Sequence, residues 1–368
     1  MEDLRGFFPT IEFGVGRVVT KGEDFHAEHV NVDLADFRRK RKGAAGDEPD
    51  RPKDRELAPG GAPTTEGNGH AAGAEGGEAL PDPSIVANFS YFGVFDGHGG
   101  KGSAKFCSES LLGLILDEGA TAGAQAPEEH GDEARVCMDA LSDDEVREID
   151  AQEKFVATLP DSLDAAFKGA DSEWKGKDLP SGTTATVALI TGWELVCASV
   201  GDSCAYFHTG KQLLQVSGNH RIEEDKSSGK VIVTEEITRV RSSGGSIARA
   251  EIEGKAVGPL RIWPGGLAMT RTIGDRSAED VSSSEPEIRH LTMPQEGGRL
   301  IMASDGLWDA ITPKQAFSLI KGTQATKAAA TKLCKASVKA LGKRDDISES
   351  NFLPPSPSIL PSLFALKH

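Results

Sequence analysis

Stretches rich in β-branched and aromatic residues alternate along this chain with polar, glycine-marked breaks, a pattern that predicts many strands and a few helices. Residues 11–19 (IEFGVGRVV) are strand-like and run into the polar turn Thr20-Lys21-Gly22-Glu23-Asp24. A second strand is predicted over 85–95, ending in the apolar run Tyr91-Phe92-Gly93-Val94-Phe95. Residues 183–190, 195–200 and 231–234 read as further strands, and 300–303 as a short buried one. Two helices follow: Thr312 and Pro313 form a cap and first helical position for a helix through Ile320, and a lysine- and alanine-rich helix over about 326–341 stops at Gly342. There is no internal repeat. Interspersed strands and helices of this kind predict one α+β domain.

Two inserts and a tail interrupt this pattern. From Arg38 to about residue 84 the chain is dominated by Gly, Ala, Pro, Glu and Asp, too little apolar surface to offset ordering entropy, which predicts a disordered insert. It opens with Arg38-Arg39-Lys40-Arg41-Lys42, readable either as a nuclear-import signal or as a solvated charge run. A second, acidic insert spans about 118–150, and its latter half fits a helix starting after Ser142 as N-cap. The domain is thus expected over 1–348, with a Pro/Ser-rich tail over 349–368.

Charge and cysteine usage narrow the class. A net charge of −16 argues against nucleic-acid partners and anionic membranes. No apolar run is long enough to span a bilayer, and Met1-Glu2-Asp3 opens no secretory signal. Five cysteines, an odd number without a C-x-x-C pair, predict reduced thiols in a cytoplasmic or nuclear protein.

Candidate chemistry sits where apolar strands end in acids. Phe95 runs straight into Asp96-Gly97-His98-Gly99-Gly100, whose glycines allow a sharp turn. Gly97 can then turn its carbonyl toward an ion that Asp96 also binds, with His98 in reach of whatever that ion holds. The same logic recurs at Ala303-Ser304-Asp305-Gly306, at Arg344-Asp345-Asp346 after a helix end, and at Glu23-Asp24. One such aspartate is most often a turn residue; several, with a histidine, favour a metal centre. Oxygen ligands without Cys or paired His point to Mg²⁺ or Mn²⁺ rather than zinc.

These residues carry a resemblance. Asp96-Gly97-His98-Gly99-Gly100, Ser181-Gly182-Thr183-Thr184-Ala185, Gly201-Asp202-Ser203, the run from Gly266 to Asp275, Ala303 to Asp309 and Arg344-Asp345-Asp346 occur in the order found in the metal-dependent protein phosphatases of type 2C. The resemblance covers residues 11 to 348 outside the inserts, and the run from Val257 to Gly266, with Lys21-Gly22-Glu23-Asp24, looks closest to a plant-like branch. It implies a four-layer α/β/β/α sandwich of two antiparallel sheets flanked by helices, with a two-metal centre at one edge. It also implies a monomeric hydrolase acting on phosphoserine and phosphothreonine in proteins through a metal-bound hydroxide, with no phosphoenzyme. Carried over by position, Asp96 bridges two Mg²⁺ or Mn²⁺ ions, the Gly97 carbonyl binds one, and Asp305 and Asp345 complete the other's shell. Glu23 touches the second metal, Asp24 orients a bound water, and Asp202 with Asp305 holds a weaker third ion. Elementary chemistry agrees: paired cations acidify water and neutralise phosphoryl oxygens, and His98 stands where it can protonate the leaving oxygen.

Other polar residues read as structural. Thr183, Thr184 and Thr186 are expected to pack in a strand, while Arg271, Asp275 and Trp308 are expected to be hydrogen-bonders or core. His26 and His29 read as surface residues rather than a zinc pair, His220 as a turn residue, and Met269 and Met302 as core. Two departures from the family matter. Val19 stands where many members carry a phosphate-clamping arginine, leaving Arg17 and Lys21 as candidates for that contact. After Ser348 the chain continues as Glu349-Ser350-Asn351 rather than as an apolar strand, which predicts a weakened sheet edge and a loosely held Asp345. These departures leave a second reading open, a non-catalytic family member acting as a protein-binding module.

Overall fold

The alternation of side chains along one central strand explains the layering. The computed structural model describes residues 11–18, 21–33, 37, 40, 88–122, 143–228, 230–342 and 347–353. In its strand Asn88–Phe95, Phe89, Tyr91 and Phe95 enter one hydrophobic core while Phe92 and Val94 enter another. Successive residues of a strand face opposite sides, so a strand apolar on both faces must lie between two covered layers.

The sandwich strands, in chain order, are β1 (Glu12–Val18), β2 (Phe25–Asp33), β3 (Asn88–Phe95), β4 (Ala185–Thr191), β5 (Glu194–Val200), β6 (Cys204–His208), β7 (Leu213–Gln215), β8 (Glu287–Thr292), β9 (Arg299–Ala303) and β10 (Ile347–Leu353). They form two five-stranded sheets, β1-β10-β9-β6-β7 and β8-β5-β4-β3-β2. Every neighbouring pair is antiparallel. Helices α1 (Gly102–Ala122) and α2 (Asp143–Lys175) cover the outer face of the second sheet, where Leu111, Ile115, Leu163 and Phe167 meet Val187, Leu189 and Val196. Between the sheets lie Phe92, Val94, Ile190, Cys197, Phe207, Leu300 and Met302. The outer face of the first sheet packs Ile301 and Ala303 against Phe317, Ile320 and Leu333. These come from two later helices, Pro313–Ile320 and Thr326–Leu341. Four layers with three hydrophobic interiors result, the α+β sandwich expected from the resemblance.

A smaller lobe leaves the body between β7 and β8. It comprises helix α3 (Glu235–Ser242) and the hairpin Ser246–Ile252 with Lys255–Trp263, closed around Ile237, Val240, Ile262, Leu267 and Val281. The two helices named above after β9 are α4 (Pro313–Ile320) and α5 (Thr326–Leu341). The first begins, as expected, with a Thr312–Gln315 capping box and proline in its first turn, and the second stops at Gly342.

Several expectations need correction. Of 231–234 only Val231 falls in a strand, the two-residue Lys230–Val231, with Ile232 N donating to Glu223 O beside it, whereas the Thr234 side chain accepts a hydrogen bond from Ile237 N as the N-cap of α3. Two acidic residues follow Thr234, and a capped helix start satisfies backbone donors that a lone strand end would leave open. The acidic insert is partly ordered: α1 extends through its first residues, and the helix after Ser142 continues unbroken to Lys175. The first insert lies outside the described residues apart from Lys40. His26 and His29 lie on β2, where a separation of three residues places them on opposite faces, so they make no zinc pair. Cys107, Cys197, Cys204 and Cys334 are free and buried, while Cys137 lies outside the described residues.

The largest correction concerns the tail. Residues 347–353 are not a loose end but β10, paired with β1 from Glu12↔Leu353 to Val18↔Ile347 and with β9 from Leu300↔Phe352 to Ala303↔Glu349. The polar Glu349-Ser350-Asn351 forms a strand because neighbours on both sides take up its backbone groups, and that ladder does not require apolar side chains. Ser350 sits at the middle of this double pairing, opposite Val15 and Met302. Ser350→Pro should therefore remove a ladder hydrogen bond from a strand paired on both sides and lower the melting temperature by several degrees; an unchanged melting temperature would show that β10 contributes little to the fold.

Candidate active site

The acidic residues gather at one end of the sandwich because of strand direction. Asp96 leaves the end of β3, while Glu23 and Asp24 precede β2, whose Phe25 pairs with Phe95. Asp202 follows β5, and Asp305 follows β9, whose Ala303 pairs with Cys204 at the start of β6. Antiparallel neighbours bring the end of one strand beside the start of the next, so residues far apart in sequence meet there.

Hydrogen bonds fix the backbone of this end. Asp96 N donates to Thr184 Oγ1 at 3.2 Å, Thr184 N donates to Asp96 O at 2.9 Å, and Thr183 Oγ1 donates to the same carbonyl at 3.0 Å. Thr184 Oγ1 also bonds Ser203 Oγ at 2.8 Å, and Thr186 Oγ1 donates to Ser203 O at 2.6 Å. Thr183 and Thr186 lie in strands as expected, while Thr184 falls in the break between Gly182–Thr183 and Ala185–Thr191, and the three hydroxyls do more than pack: they tie the Asp96 turn to the Asp202 turn. Glu23 joins from the other side, with Gly100 N donating to Glu23 Oε1 at 3.0 Å. Its backbone approaches so closely that a Cβ on Gly97 would lie 2.6 Å from Glu23 O, so only glycine fits there. Asp24, beside Glu23, is buried.

A guanidinium that the sequence did not single out stands among the next carboxylates. Arg221 makes a two-pronged contact with Asp309 (Nη1–Oδ1 3.0 Å, Nη2–Oδ2 3.1 Å). The same Nη1 lies 3.4 Å from Asp202 Oδ2 and 3.5 Å from Asp305 Oδ2. Asp202 is 4% exposed, and its Oδ1 is buried without a hydrogen-bond partner. Burial raises the Asp202 pKa, and the Arg221 charge opposes that only in part. The buried His220 holds the adjoining turn through Gly201 N to Nδ1 at 3.1 Å and does pack in a turn as expected. Trp308 Nε1 donates to the carbonyls of both Cys204 and Ala303 at 3.0 Å, which locks the strand ends beneath Asp305.

His98 stands in the turn directly after Asp96 and Gly97. Its Nε2 lies 2.7 Å from Asp275 Oδ2. Burial disfavours its protonated form, but the Asp275 hydrogen bond and the charges of Asp275, Asp202 and Glu23 outweigh that and raise its pKa. The loop carrying Asp275 is anchored to the small lobe by Glu236, which accepts from Arg271 (Nη2 2.6 Å, Nε 3.0 Å), Thr270 Oγ1 (2.8 Å) and Arg239 Nη2 (3.1 Å). Arg271 is thus structural, as expected.

The remaining candidates are placed as follows. Lys21 lies exposed in the turn before Glu23, and the backbone of Arg17 pairs with Ser348 in β1. Asp345 lies outside the described residues, but α5 ends just before it and β10 begins just after, so its segment is bracketed on both sides rather than one. Among the described residues no three His, Cys, Asp or Glu side chains form a group able to hold a metal ion. The donors nevertheless suit a hard divalent cation: all are oxygens, three carboxylates face one guanidinium, and Asp202 Oδ1 is buried and unpartnered.

An antiparallel α/β/β/α sandwich with carboxylates and His98 where its strands end is the scaffold of a protein phosphatase 2C-like protein. The chain belongs to the protein phosphatase 2C family, whose family model matches residues 65–345. It is 36% identical over 271 residues to probable protein phosphatase 2C 15 of rice (Oryza sativa subsp. japonica), covering 73% of this chain and 53% of that one. To probable protein phosphatase 2C 15 of Arabidopsis thaliana it is 34% identical over 269 residues, with 73% and 53% covered. The chain therefore spans about half the length of these two relatives, both plant proteins in keeping with the plant-like resemblance. In fold it is similar to the serine-threonine phosphatase 2C from Toxoplasma gondii (TM-score 0.53, 22% identity, 74% of this chain and 87% of that one). A Caenorhabditis elegans sex-determining protein is similar too (TM-score 0.57, 18% identity, 94% and 65%).

Two outcomes follow from this geometry. Arg221→Ala leaves three carboxylates without their shared cation, so the melting temperature in metal-free buffer should fall by several degrees and be raised by millimolar Mn²⁺ more than in the parent; equal melting curves would mean that the carboxylates do not repel. Burial alone would raise the Glu236 carboxyl, but hydrogen bonds from Arg271, Thr270 and Arg239 pull it from 4.5 down to about 2. Its stabilisation is then complete above pH 4.5 and lost as pH falls toward 2. Glu236→Gln should lower the melting temperature at neutral pH and flatten its decline across that window, and an unchanged acid slope would rule the network out as a source of acid lability.

Proposed function

We propose that this chain removes phosphate from phosphoserine and phosphothreonine in proteins, using Mg²⁺ or Mn²⁺. The observation that carries the reading is the gathering of Glu23, Asp96, Asp202 and Asp305 with His98 at one end of the sandwich, on a chain of the protein phosphatase 2C family. In this reading Asp96, the Gly97 carbonyl, Glu23, Asp305 and Asp345 hold two cations, and Asp202 with Asp305 takes a weaker third. When bound, the cations supply an acidified water and neutralise charge on the phosphoryl oxygens.

The chain's own residues do the rest. Asp24, buried beside Glu23, orients the attacking water. The threonine hydroxyls on the Asp96 turn keep that carboxylate from shifting as charge moves during attack. His98 gives a proton to the departing serine or threonine oxygen; because water attacks phosphorus directly in this reading, no phosphoenzyme is needed and Ser181 and Ser304 need not be nucleophiles. Lys21 and Arg17 are the cations proposed to meet the substrate phosphate, since Arg221 is already engaged by three aspartates. A phosphothreonine peptide should be hydrolysed by the purified chain with Mn²⁺, lose turnover in EDTA and regain it on readdition. Asp96→Asn should lower the rate at saturating substrate at least about a hundredfold. Full turnover without metal would overturn the mechanism, and peptide binding without hydrolysis would favour a binding module instead.

A further inference from the structure

Three two-residue strands line the floor beside His98. Gly97–His98 pairs with Gly182–Thr183, which pairs on its other side with Ile273–Gly274. The register sets His98 opposite Gly182 and Gly274 opposite the same Gly182. His98 and the residue after Gly274, Asp275, are therefore separated by one glycine. The Asp275 carboxylate reaches over that glycine to meet Nε2 of His98 at 2.7 Å. A Cβ on Gly182 would lie 2.0 Å from Asp275 Oδ2 and 2.2 Å from its Cγ, so the missing side chain is the passage through which the pair forms.

Asp275 is built for this contact rather than for the fold. It is 5% exposed, and a buried carboxylate destabilises a protein unless it is paired. Its backbone is left-handed (φ 51°, ψ 56°), a conformation that most side chains avoid but Asp and Asn tolerate. That turn is pinned from α2: Gly274 N donates to Asp171 Oδ1 at 2.7 Å, and Lys175 Nζ holds Asp171 Oδ2 at 2.8 Å. From the same helix Trp174 Nε1 donates to Ser181 O at 2.8 Å, fixing the residue before Gly182.

We infer that Asp275 is the positioning residue of His98, and the inference rests on the proposed role of His98 as proton donor. The carboxylate keeps a proton on Nε2 and fixes the plane of the ring, so the proton passed to the leaving oxygen is the one on Nδ1. As the phosphorus–oxygen bond to serine or threonine breaks, the bonding pair goes to that oxygen, which takes the Nδ1 proton. The ring is left neutral, with Nε2–H still on Asp275, and recovers a proton from water. The sequence expectation that Asp275 is a structural hydrogen-bonder is thereby narrowed to one partner and one purpose.

The test compares two substrates on the full chain loaded with Mn²⁺: a phosphoserine peptide, whose leaving oxygen needs a proton, and p-nitrophenyl phosphate, which does not. His98→Ala should slow the peptide about 10²–10⁴-fold and the activated ester far less. Asp275→Asn, which keeps the left-handed turn but loses the charge, should slow kcat on the peptide about tenfold or more, spare the activated ester, and add nothing in the His98→Ala background. Gly182→Ala, which crowds the carboxylate away from the ring, should show the same substrate-selective loss and serves if Asp275→Asn fails to fold. Selective loss in His98→Ala without it in Asp275→Asn and Gly182→Ala, or additive losses in the double variant, would overturn the inference while leaving His98 as the donor. Equal losses on both substrates in His98→Ala would overturn the role of His98 and that of Asp275 with it.

Discussion

The register of β3 is the constraint on which the rest depends. Both faces of this strand are buried, Tyr91 and Phe95 toward the helices and Phe92 and Val94 between the sheets. A slip by one residue would exchange the two faces, and neither core could accept the other's side chains without voids or overlap. The strand can end in one place only, so Asp96 emerges at a fixed height and orientation. Everything at the site is measured from that point: Thr183 and Thr184 capture the Asp96 backbone, Ser203 hangs on Thr184, and Glu23 closes on Gly97 and Gly100.

A fixed acidic turn is of little use unless neighbouring acids can be held near it, and carboxylates repel. The structure meets this in two ways. Main-chain restraint comes first, through the paired strand ends and through Trp308, which bridges Cys204 and Ala303. An internal cation comes second: Arg221 faces Asp202, Asp305 and Asp309, while the His98 ring faces Asp275. Oxygen donors held in place at a rigid end of the sandwich are what a hard divalent cation selects.

Much of the sandwich was legible in the sequence, and the reason differs by element. β3, β4, β5 and β9 are apolar on both faces and short, which few other structures permit. α4 announces itself by Thr312, Pro313 and Gln315, residues that satisfy the open donors of a helix start. α1 and the rest of α2 were not foreseen; in α2, Pro160 followed by Asp161 and Ser162 reads as a break and a new cap, yet the helix runs through because its apolar face is held against α1 and the sheet. β2 hid behind its mixture of His, Glu and Asn, and β10 behind Glu349-Ser350-Asn351, since a strand between or beside partners is specified by their ladders as much as by its own residues. At the site, the strand-end acids were visible because they adjoin strong strand signals. Arg221 and the Asp275–His98 contact were not, because each is made by chain segments far apart in sequence and carries no local pattern.

The small lobe differs from the body in how it is held, and this bears on what the site can do. The body has three hydrophobic interiors, whereas the lobe closes around a handful of side chains and joins the body through a polar knot at Glu236. Residues 270–275 leave that knot and enter the three-strand floor, so one short loop is tied to the lobe by Thr270 and Arg271 and to the body by Gly274 and Asp171. Directional hydrogen bonds transmit position where a loose apolar contact would slide. The lobe is therefore connected, through six residues of backbone, to the carboxylate that faces His98.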